Sequence, residues 1–187
     1  MKRLLLYLAV AFFLLVTVIV TTRIIVNTSD WGAKSDNRPL TLKTPLEKIS
    51  VHLYFGAKDN SFLIAEEREV PCSDNILLFG GAIIDELIQG PADSRLMRTV
   101  PEDVFLRAFY VTKDQAAFVD LSVEFKENHP GGVKPELFTI YSIVNSLILN
   151  IPEITSVKIL IKGVETLTLA GHVSLEAPFK ADMLLIR

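Results

Sequence analysis

The sequence predicts an α+β fold. A single, mainly antiparallel sheet is covered on one face by two helices, in the order ββα-ββα-ββ, and one transmembrane helix precedes it. Three observations lead there. An uncharged apolar run opens the chain. Behind it, short segments alternate apolar and polar residues with a period of two, the mark of strands with one buried face. Between these lie two longer segments whose apolar residues keep helical spacing.

The opening run extends from Leu4 to Val20, 17 residues without a charge, between Lys2-Arg3 and Arg23. A helix crossing a bilayer needs roughly 20 residues, so residues 1–23 read as a membrane span. A cleaved signal would want a small-x-small site, and Val18-Ile19-Val20-Thr21-Thr22 offers only bulky or β-branched residues. The segment is therefore an uncleaved signal anchor. No cysteine accompanies it, which excludes a lipid-modified one. Lys2 and Arg3 stay on the cytoplasmic side, and the remainder faces outward from the inner membrane. Residues 24–46 are rich in Asn, Ser, Asp, Lys, Thr and Pro and form a flexible linker, with Trp31 placed either at the membrane surface or against the domain.

The folded domain spans residues 47–187. Ile49, Val51, Leu53 and Phe55 alternate with Lys48, Ser50, His52 and Tyr54 in a first strand. Residues 62–70 form a second, stopped by Pro71. Ser73 or Asp74 caps a helix that carries Ile76, Phe79, Ile83, Ile84, Leu87 and Ile88 and ends at Gly90-Pro91. Gly80-Gly81 inside it costs about 1 kcal/mol each relative to alanine, and its use is to let another element come close. Residues 93–103 form a loop. Two strands over 104–111 and 115–121 are joined at hairpin distance. A second helix follows, with Pro135 in its first turn and a stripe of Leu137, Ile140, Tyr141, Val144, Leu147 and Ile148. Val157, Ile159 and Ile161 mark a fifth strand, Thr166 to Leu169 a sixth, and Met183 to Ile186 a further edge strand.

Composition narrows the function classes. The formal charge is −3, and removing Lys2 and Arg3 leaves −5 for the rest. A mildly acidic domain without a basic cluster does not suit nucleic acid, whose binding draws on phosphate contacts by Lys and Arg. The single cysteine, Cys72, allows no internal disulfide.

A series of motifs runs in order along the domain: Tyr54-Phe55, Leu87-Ile88-Gln89-Gly90-Pro91, Val100-Pro101, Val119-Asp120-Leu121-Ser122 with Phe125, Gly131-Gly132, Ile143-Val144-Asn145-Ser146-Leu147, and Val157 to Gly163. Together they resemble the GerMN domain family over roughly residues 48 to 175. The resemblance implies a bacterial envelope protein tethered by a signal anchor or a lipid. The family's namesake is a sporulation and spore-germination protein similar to ring-building modules of a channel between two membranes. Other members accompany cell-wall amidase or lipoprotein modules. No catalytic residues come with the family. This chain has one copy of the domain where the namesake has two, and it lacks the lipid-attachment cysteine.

The one cluster from which an enzyme reading can start lies between Asp120 and Gly132. Asp120 and Glu124 are a candidate general acid and base, as glycan hydrolases use. The alternative is a strand end where Asp120 and Ser122 bond turn amides. Ser122, His129 and Asp120 are the members of a candidate triad, without a G-x-S-x-G elbow. Gly131-Gly132 before a helix resembles a phosphate cradle but lacks its lysine. His52, His129 and His172 have no metal-ligand spacing. Cys72 precedes a helix start, where a thiol can be activated. Tyr54, Tyr110 and Tyr141 are the aromatic candidates for a glycan groove. The expectation is a chain with no catalytic, metal or cofactor residues. Its partners are the inner membrane, an envelope protein or peptidoglycan, and a second copy of itself, with Tyr54, Gly90, Pro91, Asp120, Ser122, Gly131, Gly132 and Gly163 as motif or interaction residues.

Overall fold

The computed structural model describes residues 47–187. The expected anchor (1–23) and linker (24–46), Trp31 included, lie outside these residues. Among the described residues no helix is long and apolar enough to cross a membrane.

The element order is β1 (Lys48–Ala57), β2 (Leu63–Pro71), α1 (Ile76–Gln89), β3 (Leu96–Met97), β4 (Leu106–Val111), β5 (Ala116–Leu121), α2 (Glu124–Glu127), α3 (Val133–Ile148), β6 (Ser156–Ile161) and a 3-10 turn at Met183–Leu185. The α+β class is as expected. The single antiparallel sheet is not. The strands form two three-stranded sheets, β2-β1-β3 and β4-β5-β6. In the second, β5 pairs parallel with β6, from Ala116↔Ser156 to Leu121↔Ile161. The reason lies in the connection: α3 carries the chain back over the sheet, and such a crossover delivers the next strand parallel to the first.

The sixth strand and the C-terminal edge strand also fail to form. Residues 164–175 make only isolated pairs, Ile161↔Val164 and Thr168↔Ser174. Val164 and Leu167 are exposed, and only Leu169 and Leu175 enter the core, six residues apart, so the run lacks the alternating buried face a strand would need. Met183–Leu185 forms a 3-10 turn capped by Asp182, and only Ile186 pairs with a strand, at Leu63. Of two further short elements, β3 falls in the segment read as a loop, and α2 in the stretch between β5 and α3, to which periodicity assigns no element.

The first helix begins one residue later than Asp74. Asn75 is the cap, and its Oδ1 accepts the Leu77 amide at 2.9 Å, while Ser73 Oγ accepts the Asn75 amide. At the other end Gly90 takes φ 89°, and its N–H reaches Leu87 O at 3.1 Å. Gly80 serves the expected close approach. A Cβ there would stand 2.3 Å from the Phe109 ring, so the helix seats directly on β4. Gly81 meets no such limit.

The core joins both sheets and both long helices through Val51, Leu53, Phe55, Ile83, Leu87, Val119, Ile140, Leu147 and Ile159. Two expectations of burial are reversed. Tyr54, expected on the polar face of β1, is buried against Leu63 and Phe138, because that end of the sheet is covered on its second face as well. The second departure is α3, which is buried most of the way round instead of along one stripe. Glu136, Thr139, Ser142, Asn145 and Ser146 are enclosed with its apolar residues.

Candidate functional site

The buried polar residues of α3 need partners, since an unpaired polar group costs about 1–3 kcal/mol in the interior. Each finds one on a different segment. Ser146 Oγ accepts the Tyr54 amide at 3.1 Å, and Ser142 Oγ donates to Tyr54 O at 2.6 Å. Asn150, one turn on, accepts the His52 amide (2.9 Å) and donates to His52 O (2.7 Å). Residues four apart on a helix are about 6 Å apart along its axis, and residues two apart on a strand about 6.7 Å. Ser146 and Asn150 therefore match the outward groups of Tyr54 and His52, and with Ser142 on the Tyr54 carbonyl they close the edge of β1 where β3 stops. Asn145 clamps Asp182 in the same way, accepting from its amide (3.0 Å) and donating to its carbonyl (3.1 Å).

Asp120, the next-to-last residue of β5, is also spent within the fold. Its Oδ1 accepts the Gly163 amide at 2.7 Å, and Oδ2 accepts from Arg107 Nε at 3.1 Å. Two motif residues 43 positions apart are thus joined. Lys162 and Gly163 hold φ 57° and 77° in the turn that this bond secures. Ser122 pairs with Phe105 through main chain and side chain, accepting the Phe105 amide at its Oγ (3.2 Å) and donating its own amide to Phe105 O (3.1 Å). The neighbouring Ser122 hydroxyl holds the Glu124 carboxyl below the usual glutamate range. One Glu124 oxygen, Oε2, is shielded and has no hydrogen-bond partner among the described residues.

His129 is turned away from Ser122 and Asp120. Its Nδ1 accepts the Gly131 amide at 2.9 Å, which places the ring proton on Nε2. Nε2 then donates to Thr139 Oγ1 at 3.1 Å, and Thr139 donates to Thr99 O at 2.6 Å. Burial lowers the His129 pKa, against the pull of Glu136. The candidate triad is therefore not assembled. Gly131 and Gly132 adopt φ 77° and 98° to turn the chain into α3, and Gly132 caps the helix without a side-chain bond.

Gly90 and Pro91 sit within a charged collar. Arg98 donates to Ile88 O and Gln89 O at 2.5 and 2.6 Å, closing the carbonyl end of α1. A Cβ on Gly90 would collide with that guanidinium at 2.9 Å. Arg68 binds Gly90 O, Glu86 and Glu66, and Glu66 in turn accepts the amides of Ala92 and Asp93.

Sequence reasoning missed the most enclosed carboxylate, Glu136. It is fully buried in the first turn of α3 and accepts the amides of His172 (3.2 Å) and Val173 (2.9 Å) and the His172 ring at 2.6 Å. Burial pushes its pKa up, yet these donors outweigh that and hold it below the glutamate range. Lys158, also buried, donates to Leu175 O (3.0 Å) and Glu176 O (2.5 Å) and pairs with Glu165 at 3.2 Å. Polar residues four apart on an apolar helix were the available signal for Ser142, Ser146 and Asn150. Nothing local marked Glu136.

A cavity of about 230 Å³ opens between β3 and the start of α3, walled by Met97, Val100, Pro101, Pro130, Pro135 and Phe138. Thr99 and Thr139, from the hydrogen-bond chain above, line it together with Asn60 and Arg98. Among the described residues no cysteine, serine, histidine or carboxylate lines it. Among the described residues no three His, Cys, Asp or Glu side chains converge to hold a metal ion.

Residues 52–167, more than half of the chain, match the family model Germane, described as sporulation and spore germination. The chain belongs to this family. Solved structures agree with the fold. A Clostridium perfringens chain provisionally named a lipoprotein is 29% identical, with a TM-score of 0.51, over 73% of this chain and 89% of that one. The first GerMN domain of the Bacillus subtilis sporulation protein GerM is 20% identical, with a TM-score of 0.58, over 73% of this chain and 98% of that one. Its tandem GerMN structure aligns at 21% identity and a TM-score of 0.56, over 72% of this chain and 45% of the tandem. No curated protein matches the sequence. The motif series that resembles GerMN thus falls inside a Germane domain, with its members acting on the domain's own backbone.

Proposed function

We propose that this Germane domain is a non-enzymatic module of the bacterial envelope, held at the cytoplasmic membrane by the apolar segment 4–22 and displayed on its outer side. There it binds an envelope protein or the cell wall during spore formation or germination. The observation that carries the reading is the commitment of the polar motif residues. Asp120 is occupied by Gly163 and Arg107, Ser122 by Phe105, and His129 by Gly131 and Thr139. Side chains already spent on their own fold are poor candidates for proton transfer, and the domain presents surfaces instead.

The test is crosslinking in intact envelopes followed by identification of the crosslinked species. One or a few enriched envelope proteins, or peptidoglycan fragments, is the expected result. Recovery of the chain as an uncrosslinked monomer in every envelope fraction would sink the reading.

One atom favours a rival, a wall-active hydrolase: the unpartnered Oε2 of Glu124. Glycoside hydrolysis needs one carboxyl raised in pKa to serve as acid. Glu124 is shifted the other way by the Ser122 hydroxyl. Both Asp120 oxygens are already engaged, one by the Gly163 amide and one by Arg107. Purified protein incubated with peptidoglycan is expected to release no fragments. Release that disappears in Asp120→Ala/Glu124→Ala would replace the binding reading with the enzymatic one.

A further inference from the structure

The strand edges decide where these sheets can meet another chain, because an edge offers unpaired amides and carbonyls. The edge of β1 facing away from β2 is closed by β3 at Gly56 and Ala57, by Ser142 and Ser146 at Tyr54, and by Asn150 at His52. Beside β6, Phe179 exchanges two 2.8 Å hydrogen bonds with Val157, and Val164 bonds Ile161. The β4 edge is distorted between Leu106 and Ala108, a device that keeps an edge from pairing.

The outer edge of β2 differs from all of these. Its ladder to β1 runs without a shift from Lys48↔Pro71 to Gly56↔Leu63. Hydrogen bonds from Ala57 to Phe62 and from Cys72 to Glu47 fix its phase. Antiparallel strands alternate, so the main chain of Leu63, Ala65, Glu67 and Glu69 points outward. Ile186 and Arg187 occupy this edge only at Leu63, where the Arg187 amide donates to Leu63 O at 2.9 Å. From Ala65 to Glu69 the edge has no main-chain partner among the described residues. A groove lined by Ala65, Glu66, Glu67, Asp93, Arg95 and Leu96 lies beside it, and the Arg95 guanidinium is neutralised there by Asp93 at 2.7 Å.

We propose that this edge, Ala65 to Glu69, accepts an extended lysine- or arginine-bearing segment of a partner protein as an added strand. The proposal rests on the reading of the domain as a binding module for an envelope protein. Charge selects the occupant. Glu66 is already matched by Arg68 and by the amides of Ala92 and Asp93. Among the described residues, exposed Glu67 has only the Ser50 hydroxyl, and exposed Glu69 has a loose 3.6 Å contact with Lys48. A second copy of β2 in antiparallel pairing would set these carboxylates near their own equivalents, and like charges across a ladder destabilise it. A basic strand turns the same geometry favourable. Main-chain bonds give such a complex its affinity and the alternate side chains its selectivity.

The experiment titrates the full-length protein in detergent micelles with a capped peptide of alternating lysine and valine, and with its glutamate counterpart. Amide hydrogen exchange is followed across the domain. The lysine peptide is expected to bind and to slow exchange at Ala65, Glu67 and Glu69. Glu67→Lys/Glu69→Lys changes two exposed side chains, so it should fold, lose about tenfold in affinity for that peptide and gain affinity for the glutamate one. No binding of the lysine peptide at millimolar concentration, equal affinity in the variant, or protection confined to other strands overturns the proposal. Envelope crosslinking of the same variant separates the two readings. Loss of the partner supports the β2 edge. Full retention overturns the edge and leaves partner binding to another surface.

Discussion

The two long helices meet the sheets in opposite ways. α1 behaves as a surface helix: its apolar stripe goes inward, Gly80 lets it sit on Phe109, and Leu77 and Leu78 face water at 41% and 66% exposure. α3 is surrounded, and its polar residues do what strands and turns would otherwise do. Glu136 holds the 172–173 segment, Asn145 holds Asp182, and Ser142 and Ser146 complete the edge of β1. The lesson is that hydrophobic periodicity describes a helix with one neighbour. A helix with neighbours on every side is organised by its hydrogen bonds, and its polar residues become the specific ones.

Breaking that contrast should begin at Glu136. Glu136→Leu leaves the amides of His172 and Val173 without an acceptor, and urea unfolding should show a loss of about 3 kcal/mol. No substitution of a single polar residue on α1 should approach it. The second largest effect belongs to α1 and is steric. Gly80→Ala drives a methyl into Phe109 and should cost about 1–3 kcal/mol, partly restored by Phe109→Leu in a double-mutant cycle. Equal costs for Gly80→Ala with and without the second change would show that the ring is not the obstacle.

A smaller loss, about 1 kcal/mol, is expected for Ser146→Ala, which removes the acceptor for the Tyr54 amide. Faster hydrogen exchange at Tyr54 is the accompanying signature. Leu78→Lys on α1 should stay within about 0.5 kcal/mol of wild type, as exposed positions do. If the two variants were equal, the contrast between the helices would lose its energetic meaning.

The smallest effect is a pH dependence. His129 is held neutral, its pKa below the 6.5 of a free histidine. Its contribution is therefore complete above pH 6.5 and is lost as the pH falls through the lower folded value. Unfolding curves at pH 7.5 and 5 should show the wild type losing more stability in acid than His129→Gln does. Glu136, also depressed, adds a loss of the same sign at still lower pH.

How much of this was legible in the sequence follows from the same contrast. The strands that alternate and both long helices are where periodicity puts them, within a residue or two at most ends. The hairpin from β4 to β5 is also in place. The pairing of β6 was not legible, because the choice between antiparallel and parallel neighbours depends on where α3 carries the chain. β3 has two residues and α2 four, too few to show any period. At the candidate site, the sequence suggested that Asp120 bonds a turn amide. It could not say that the turn lies 43 residues away, beside a parallel neighbour it had no means of foreseeing.

The three side chains along β1 have a consequence for how the chain exchanges partners. Amides on a strand point alternately to its two sides, so sliding β1 by one residue would turn His52 and Tyr54 toward β2 and present the wrong groups to Ser142, Ser146 and Asn150. The strand is thus checked from both sides at once, by β2 through its own ladder and by a helix nearly 100 residues further along the chain. A hairpin checked in this way is a poor candidate for domain swapping. Whatever these molecules assemble into, they are built to do so with β1 kept at home.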